Sequence, residues 1–364
     1  MFGVSRHPFP GGGDARTEGR PLSFRFRRHA DSIARSRRSP LYVQLMRAAA
    51  EDIDRGGLVA ELFTDVPVPP GSVPQLRLLA ALHYLVLAGR APALAAFYPS
   101  AGGQRPPDEV WPAVLSTLAE HFEPVRTRLG RTVQTNEPGR SAVLFAGLLW
   151  LSHHHRRPIR LLEVGASAGL NLIADRYSYI VAGHEVGNPD SPLRFVDPWD
   201  PTPPIDLGAA AAGLRIVARA GCDVAPLDPR LPDDRLTLLS YIWPDELHRI
   251  DRLRAALSVA AHDSVPVSQQ PGSAWLPGAL AAAEEGELVV VWHSVMRQYV
   301  EPDEWSAIER ALDDQPGVVR LSMEPATDRH AGMELTMHDP AAATATRLAS
   351  CDDHGLPIRW HAGR

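Results

Sequence analysis

After Ser39-Pro40 the residues Leu41, Leu45 and Ala48 recur at helical spacing, and Met46 and Ala49 widen that apolar stripe until Gly56-Gly57 ends it. A serine offers an N-cap acceptor and the proline behind it is preset for the first helical turn, so this spacing predicts a helix. Two further helices are expected, from near Val73 through QLRLLAALHYLVLAG and from near Asp108 through VWPAVLSTLAEHF. The first third of the chain carries no strand-like alternation. AVLFAGLLWLSHHH follows, capped by Ser141 and ended at Pro158.

Beyond Pro158 short apolar runs alternate with helical segments, as in a parallel α/β sheet. IRLLEV is read as a first, buried strand and GLNLIADRY as the helix after its loop. Residues 178–204 are rich in Pro, Asp and Gly and read as an inserted β-hairpin and loop. Leu214–Asp223 is the second strand, VPVSQ the third, Glu287–His293 the fourth and Val318–Glu324 the fifth. Asp233–His262 is helical with a break at Trp243-Pro244, and two more helices are expected at SAWLPGALAAAEEG and Glu304–Asp314. MELTMHD and ATRLASC then alternate like closing antiparallel strands. The expected organisation is a flexible tail (1–20), an all-helical cap domain (21–157) and a Rossmann-like, mostly parallel sheet with a closing antiparallel hairpin (158–364), making an α/β protein.

Composition narrows the class. Apolar residues make up 45% of the chain, which excludes wholesale disorder. No apolar run approaches the ~18 residues of a membrane span, so no membrane association is expected. The beginning, MFGVSRHPFPGGGDARTEGR, lacks the apolar core of a secretion signal, and two cysteines suit a reducing compartment, so the expected location is cytoplasmic. The net charge of −6 argues weakly against bulk nucleic-acid binding, although Arg16, Arg20, Arg25, Arg27, Arg28, Arg35, Arg37 and Arg38 crowd the beginning of the chain. The chain contains no lysine, so this density in part reflects a preference for arginine, and a solvated helix face is expected rather than an RNA-binding arm. His153, His154 and His155 are consecutive on a helix and cannot face one ion together, so no metal site is expected.

RLLEVGASAGLNL (160–172) admits two chemistries. Gly165-Ala166-Ser167-Ala168-Gly169 matches G-x-S-x-G, which makes Ser167 a nucleophile on a strained turn. That elbow sits late in its sheet, after an oxyanion loop, whereas here the preceding chain is helical. Read from Glu163, the same stretch is an acid followed by a small-residue loop, where Gly165, Ser167 and Gly169 let backbone approach a ligand. A dinucleotide fingerprint requires G-x-G-x-x-G; Ser167 and Leu170 occupy two of its glycine positions, so a pyrophosphate cofactor fits poorly. Gly221-Cys222-Asp223-Val224-Ala225-Pro226 ends the second strand with an acid able to take both ribose hydroxyls.

LLEVGASAG and GCDVAP resemble the first two motifs of class I S-adenosylmethionine-dependent methyltransferases, and strands four and five with a closing hairpin follow in the order of that fold. TNEPGRSA, LLEVGASAGLNL, GCDVAPLDP, WPDE and VVWHSV also resemble an uncharacterised bacterial family, domain of unknown function 2332, which brings no activity with it. The methyltransferase resemblance implies S-adenosylmethionine as cofactor, held by Glu163, Gly165, Ser167, Gly169, Asn171, Asp223 and Val224. The gap from Gly169 to Asp223 is long for one β-α-β unit; if the insertion held the true second strand, Asp197 would be the ribose ligand instead.

Methyl transfer needs positioning, and a base where the acceptor is a weak nucleophile. VVVWHSV puts Trp292, His293 and Ser294 at the carboxyl end of the fourth strand. His293 and Ser294 are the catalytic candidates, His293 as proton acceptor, with a backbone-satisfying histidine as the alternative. Gln298 and Tyr299 are lining candidates. Asn136, Glu137 and Arg140 could fold over the cofactor, Arg140 pairing with its carboxylate, or could form a turn and helix cap. Trp243 and Asp245 interrupt a helix as pocket residues do, or mark a proline kink over a buried indole. A hydroxyl, amine or carboxylate of a small molecule, enclosed between the helical domain and the sheet edge, is the expected acceptor. Other sulfonium chemistry such as cyclisation, a non-catalytic nucleotide-binding module and a serine hydrolase are the competing expectations.

Overall fold

The computed structural model describes residues 20–36, 39–69, 72–326, 332–340, 342 and 344–361. The expected flexible tail lies outside the described residues except for Arg20. The chain forms two compact units, one comprising 1–135 with 232–251 and the other 136–231 with 252–364.

The first unit is helical. Helices Leu22–Ser36, Pro40–Asp54, Pro74–Leu87, Trp111–Glu120 and Phe122–Leu129 enclose Phe26, Tyr42, Leu45, Leu62, Leu79, Tyr98 and Leu118. Ser39 caps the second of these as its sequence predicts, its hydroxyl accepting the Tyr42 amide. Later chain completes the same core. From helix Pro232–Ser240, Asp233 accepts from the Tyr84 hydroxyl and Arg128, while the Ser240 carbonyl meets His83 Nδ1 at 3.2 Å. The break at Trp243-Pro244 brings Trp243 against Tyr42, with ring centroids 6.0 Å apart.

The second unit is α/β. Its strands are β1 (Ile159–Val164), β2 (Ser178–Val181), β3 (His184–Gly187), β4 (Arg194–Val196), β5 (Ile216–Asp223), β6 (Val267–Gln269), β7 (Leu288–Ser294), β8 (Val319–Pro325), β9 (Met333–His338), β10 (Thr346–Cys351) and β11 (Arg359–Trp360). The main sheet runs β11-β10-β9-β8-β7-β1-β5-β6. β6, β5, β1, β7 and β8 are parallel, and β9, β10 and β11 add as an antiparallel meander. Counting parallel strands only, the spatial order is 3-2-1-4-5, which places a topological switch between β1 and β7.

Four expectations need correction. The boundary at 157/158 falls inside the second unit, because helix Gly139–His154 packs on β8 with Gly147 against Leu321 and holds Tyr179 and Trp199. The interval 232–251 belongs with the helices of the first unit. Ser141 does not cap: the helix starts at Gly139, and the Ser141 hydroxyl donates to Asn171 Oδ1 at 2.9 Å. The fourth concerns the segment after the β1 loop, which is six residues of 3-10 helix, Asn171–Arg176, rather than an α-helix. Side chains take the carbonyls an α-helix would need: Tyr177 donates to Leu170, Arg219 to Leu172 and Tyr179 to Ala174.

Candidate site at the carboxyl edge of the sheet

The insertion forms its own three-stranded sheet, β3-β2-β4. Phe145 of helix Gly139–His154 stacks on Tyr179 at 4.2 Å, Tyr179 on Phe195 at 5.1 Å and on Trp199 at 5.6 Å. This aromatic stack braces the loop after β1 from behind through the Tyr177 and Tyr179 hydroxyls. Asp197 lies just past β4 and accepts the Ala182 amide, so it belongs to the small sheet, while Asp223 ends the strand that neighbours β1.

The β1 loop turns through left-handed conformations at Gly165 (φ 76), Ser167 (φ 52) and Gly169 (φ 73). Its amides are all bonded within the protein. Gly165 and Ala166 donate to the Cys222 carbonyl at 2.9 and 3.0 Å, and Gly169 to Ala166 at 2.8 Å. Ser167 donates to Asp223 Oδ2 at 2.9 Å, and Ala168 and Leu170 both donate to Asn136 Oδ1, at 3.2 and 2.9 Å. Asn136 and Asp223, singled out as ligand contacts, therefore also build the loop. Asp223 Oδ1 accepts the Ala225 amide at 2.9 Å, and a carboxylate oxygen retains acceptor capacity after one bond. Val224, beside it, is exposed.

Beneath the loop lies a sealed polar cluster. Glu163 is 1% exposed, and its Oε1 accepts Asn171 Nδ2 at 2.9 Å. Burial raises the Glu163 carboxyl to about 8; the Asn171 hydrogen bond and Arg140 act against this, and Asp223 adds to it. The fully buried Trp292 indole interacts with the same carboxyl and also acts against the shift, while Ser167 Oγ is buried with no hydrogen-bond partner among the described residues. A buried hydroxyl of this kind is unusual, since buried polar groups are normally paired.

On β7 the structure supplies a partner that sequence reasoning missed. Strand pairing sets His293 opposite Ser322 of β8, and Glu324, two residues further along, reaches His293 Nδ1 with Oε1 at 2.9 Å. The same oxygen accepts the amides of Met296 (3.1 Å) and Arg297 (3.4 Å). With Nδ1 donating to Glu324, the acceptor lone pair of His293 is on Nε2. Trp305 touches the imidazole edge-on, centroids 5.1 Å apart. The alternative of a backbone-satisfying histidine is not what the geometry shows: His293 Nδ1 meets a carboxylate. No signal in the VVRLSME stretch distinguished Glu324 from any strand-end acid.

Arg140, 8% exposed, directs Nη1 to the Ser294 carbonyl at 3.5 Å and acts electrostatically on Glu163, Tyr299 and Cys351. Glu137 accepts the Gly139 amide and lies 3.6 Å from Arg252. Tyr299 is half-exposed, and burial of its phenol, with Glu324 and Asp353 adding, pushes its pKa up against Arg140. Gln298 is half-buried, its Nε2 without a partner. The structure thus gathers Glu163, Ser167, Asn171, Asp223, Trp292, His293, Asn136 and Arg140 at one end of the second unit's sheet. Trp243 belongs to the first unit, where it lines a cavity of about 30 Å³ with Tyr42, Leu79 and Tyr241, room for water only.

Burial raises the Cys222 thiol to about 12 and raises Cys351 as well, so neither suits a nucleophile. Asp352, Asp353 and His354 offer ligand atoms within 4.8 Å of one another among the described residues, but the turn's own bonds engage them, His354 N to Asp352 Oδ1 among these.

A mostly parallel α/β sheet with a polar cluster at its switch point defines the class of the second unit. The chain itself belongs to the family described as "Uncharacterized protein conserved in bacteria (DUF2332)", whose pattern matches residues 24–360. No curated protein and no solved structure matches the chain.

Proposed function

We propose that the carboxyl edge of β1, β5 and β7 binds S-adenosylmethionine and that the protein is a transferase methylating a hydroxyl, amine or carboxylate of a small molecule. One observation carries this reading: the β1 loop has no amide left for a phosphate, while the buried Ser167 hydroxyl lies unpartnered in it. Such a loop suits an adenosyl group joined to an amino acid better than a nucleotide with a phosphate tail. Asp223, at the end of β5 beside the loop, would accept from the ribose hydroxyls. When bound, the cofactor supplies an electrophilic methyl group. His293 can take the acceptor's proton on Nε2 because Glu324 holds Nδ1. Arg140 supplies positive charge between the β1 and β7 ends.

The left-handed Ser167 also suits a nucleophile elbow, but its hydroxyl is 3% exposed at the residue level and bonds to no histidine. Calorimetric titration with S-adenosylhomocysteine tests the proposal. Binding on the order of micromolar is expected for the wild type. Asp223→Ala should weaken it at least tenfold, and His293→Ala should leave it unchanged. Absence of binding at millimolar ligand, together with labelling of Ser167 by a fluorophosphonate, would replace this reading with the hydrolase.

A further inference from the structure

The arginine-rich first helix contains a feature that the sheet-edge reading does not use. Arg25 on helix Leu22–Ser36 and Arg77 in the first turn of helix Pro74–Leu87 converge on one segment of chain. Arg25 Nη1 donates to the Val68 carbonyl at 3.2 Å and Arg77 Nη2 to the Pro67 carbonyl at 3.0 Å. These are adjacent carbonyls, so two guanidinium groups lie side by side, close enough that Arg25 disfavours the charge on Arg77.

Among the described residues no ion pair to a carboxylate forms at Arg25 or Arg77, and Arg77 is 6% exposed with its Nε buried and without a hydrogen-bond partner. Arginine cannot relieve such a situation by losing its proton. A buried charge without a counter-charge is strongly unfavourable, and a like charge beside it adds to the cost. The helix dipole has the same sign: Arg77 sits in the first turn, where acids are favoured, and the turn has Val73 (φ 42) in the cap position with no side-chain hydrogen bond.

His29, one turn after Arg25, supplies another unused donor. Gln75 Nε2 lies 2.7 Å from His29 Nδ1. With the amide donating, the imidazole hydrogen is on Nε2, which is buried without a partner. His29 stays neutral, its pKa lowered to about 4 by burial. Among the described residues, two adjacent cations therefore lie by an uncapped helix start with no carboxylate partner, and His29, on the same helix as Arg25, keeps an unpartnered N–H.

We propose that Arg25 and Arg77, at the start of helix Pro74–Leu87, form a binding site for an oxyanion, a phosphate or carboxylate group, in the helical unit. Bidentate guanidinium groups and a helix N-terminus both match that chemistry. The site is independent of the cofactor reading.

Thermal melts and calorimetry at fixed ionic strength test it, titrating sodium phosphate or sodium acetate against sodium chloride as control. A saturable rise in melting temperature with one of the two oxyanions is expected for the wild type; phosphate alone or acetate alone names the ligand class. Arg77→Gln should weaken the apparent affinity at least tenfold, and without oxyanion should melt no lower than wild type, because an uncompensated buried charge has gone. Arg25→Gln, at a half-buried position, should also weaken affinity and serves if Arg77→Gln does not fold. Equal responses in wild type and both variants, or no saturable response to tens of millimolar of either salt, would overturn the site. So would an Arg77→Gln protein that melts lower by the same amount at every oxyanion concentration, since the guanidinium would then only hold the Pro67 carbonyl.

Discussion

Glu163 is the residue whose chemistry the fold alters most. Its carboxyl, moved from the ordinary value of 4.5 to about 8 chiefly by burial, keeps its proton in the folded protein through a range where the unfolded chain has lost it. Between pH 4.5 and about 8 the native state thus binds more protons, and the stability contributed by this group falls as pH rises. Glu163→Gln keeps an oxygen for Asn171 and removes the titration. Its melting temperature should equal that of wild type near pH 5 and exceed it at pH 8 to 9, by an amount corresponding to about 1–3 kcal/mol. Melts across that range would check this, and parallel curves for the two proteins would show that Glu163 is ionised in the fold. The burial of Glu163 was legible, because an acid inside IRLLEV has nowhere else to go. The pairing of His293 with Glu324 was not, since it depends on a β7–β8 register spanning 31 residues of sequence.

Among the secondary-structure elements, the start of helix Gly139–His154 and the turn before β11 meet backbone to backbone. A Cβ on Gly355 (φ 87) would stand 2.5 Å from the Gly139 carbonyl oxygen, and one on Gly139 would stand 2.2 Å from that of His354. Gly183 in the β2–β3 turn has a similar φ of 82 with open space around it. Gly183→Ala should therefore cost roughly 1–2 kcal/mol, the left-handed penalty alone. Gly355→Ala should cost at least about 2 kcal/mol more, because a backbone atom must move. Urea unfolding of both variants measures the difference, and equal losses would mean that the two segments can separate without cost. The parallel strands were readable from apolar runs bounded by turn residues, and β1, β5, β6, β7 and β8 all fall where those runs lie. GLNLIADRY has helical composition and still does not form an α-helix, because the side chains competing for its carbonyls come from Tyr177, Tyr179 and Arg219, which no local pattern reveals.

Across the whole chain, the excursion 232–251 makes the helical unit discontinuous. Residues 1–135 alone lack the groups that Tyr84, His83, Arg128 and Ser39 bond to: Asp233, Ser240 and Asp245. A fragment of 1–135 is expected to show no cooperative thermal transition, and joining 232–251 to it through a glycine-serine linker should restore one. A cooperative melt of 1–135 by itself would show that the excursion is dispensable. Sequence texture suggested a cut at Pro158 because composition changes there, but compactness follows packing, and the helix before Pro158 packs on the sheet. Among the described residues no helix is long and apolar enough to cross a membrane.

The closed amide ledger of the β1 loop has a consequence for selectivity. Phosphorylated nucleotides are abundant in any cell and share an adenosine head with many rarer compounds. A loop that already directs its N–H groups to Asn136, Asp223 and Cys222 gives a triphosphate tail no purchase, so ATP should compete poorly at this edge. On the adenosyl-binding reading proposed above, the side chains of Asn136 and Asp223 occupy the amides that a phosphate tail would otherwise use.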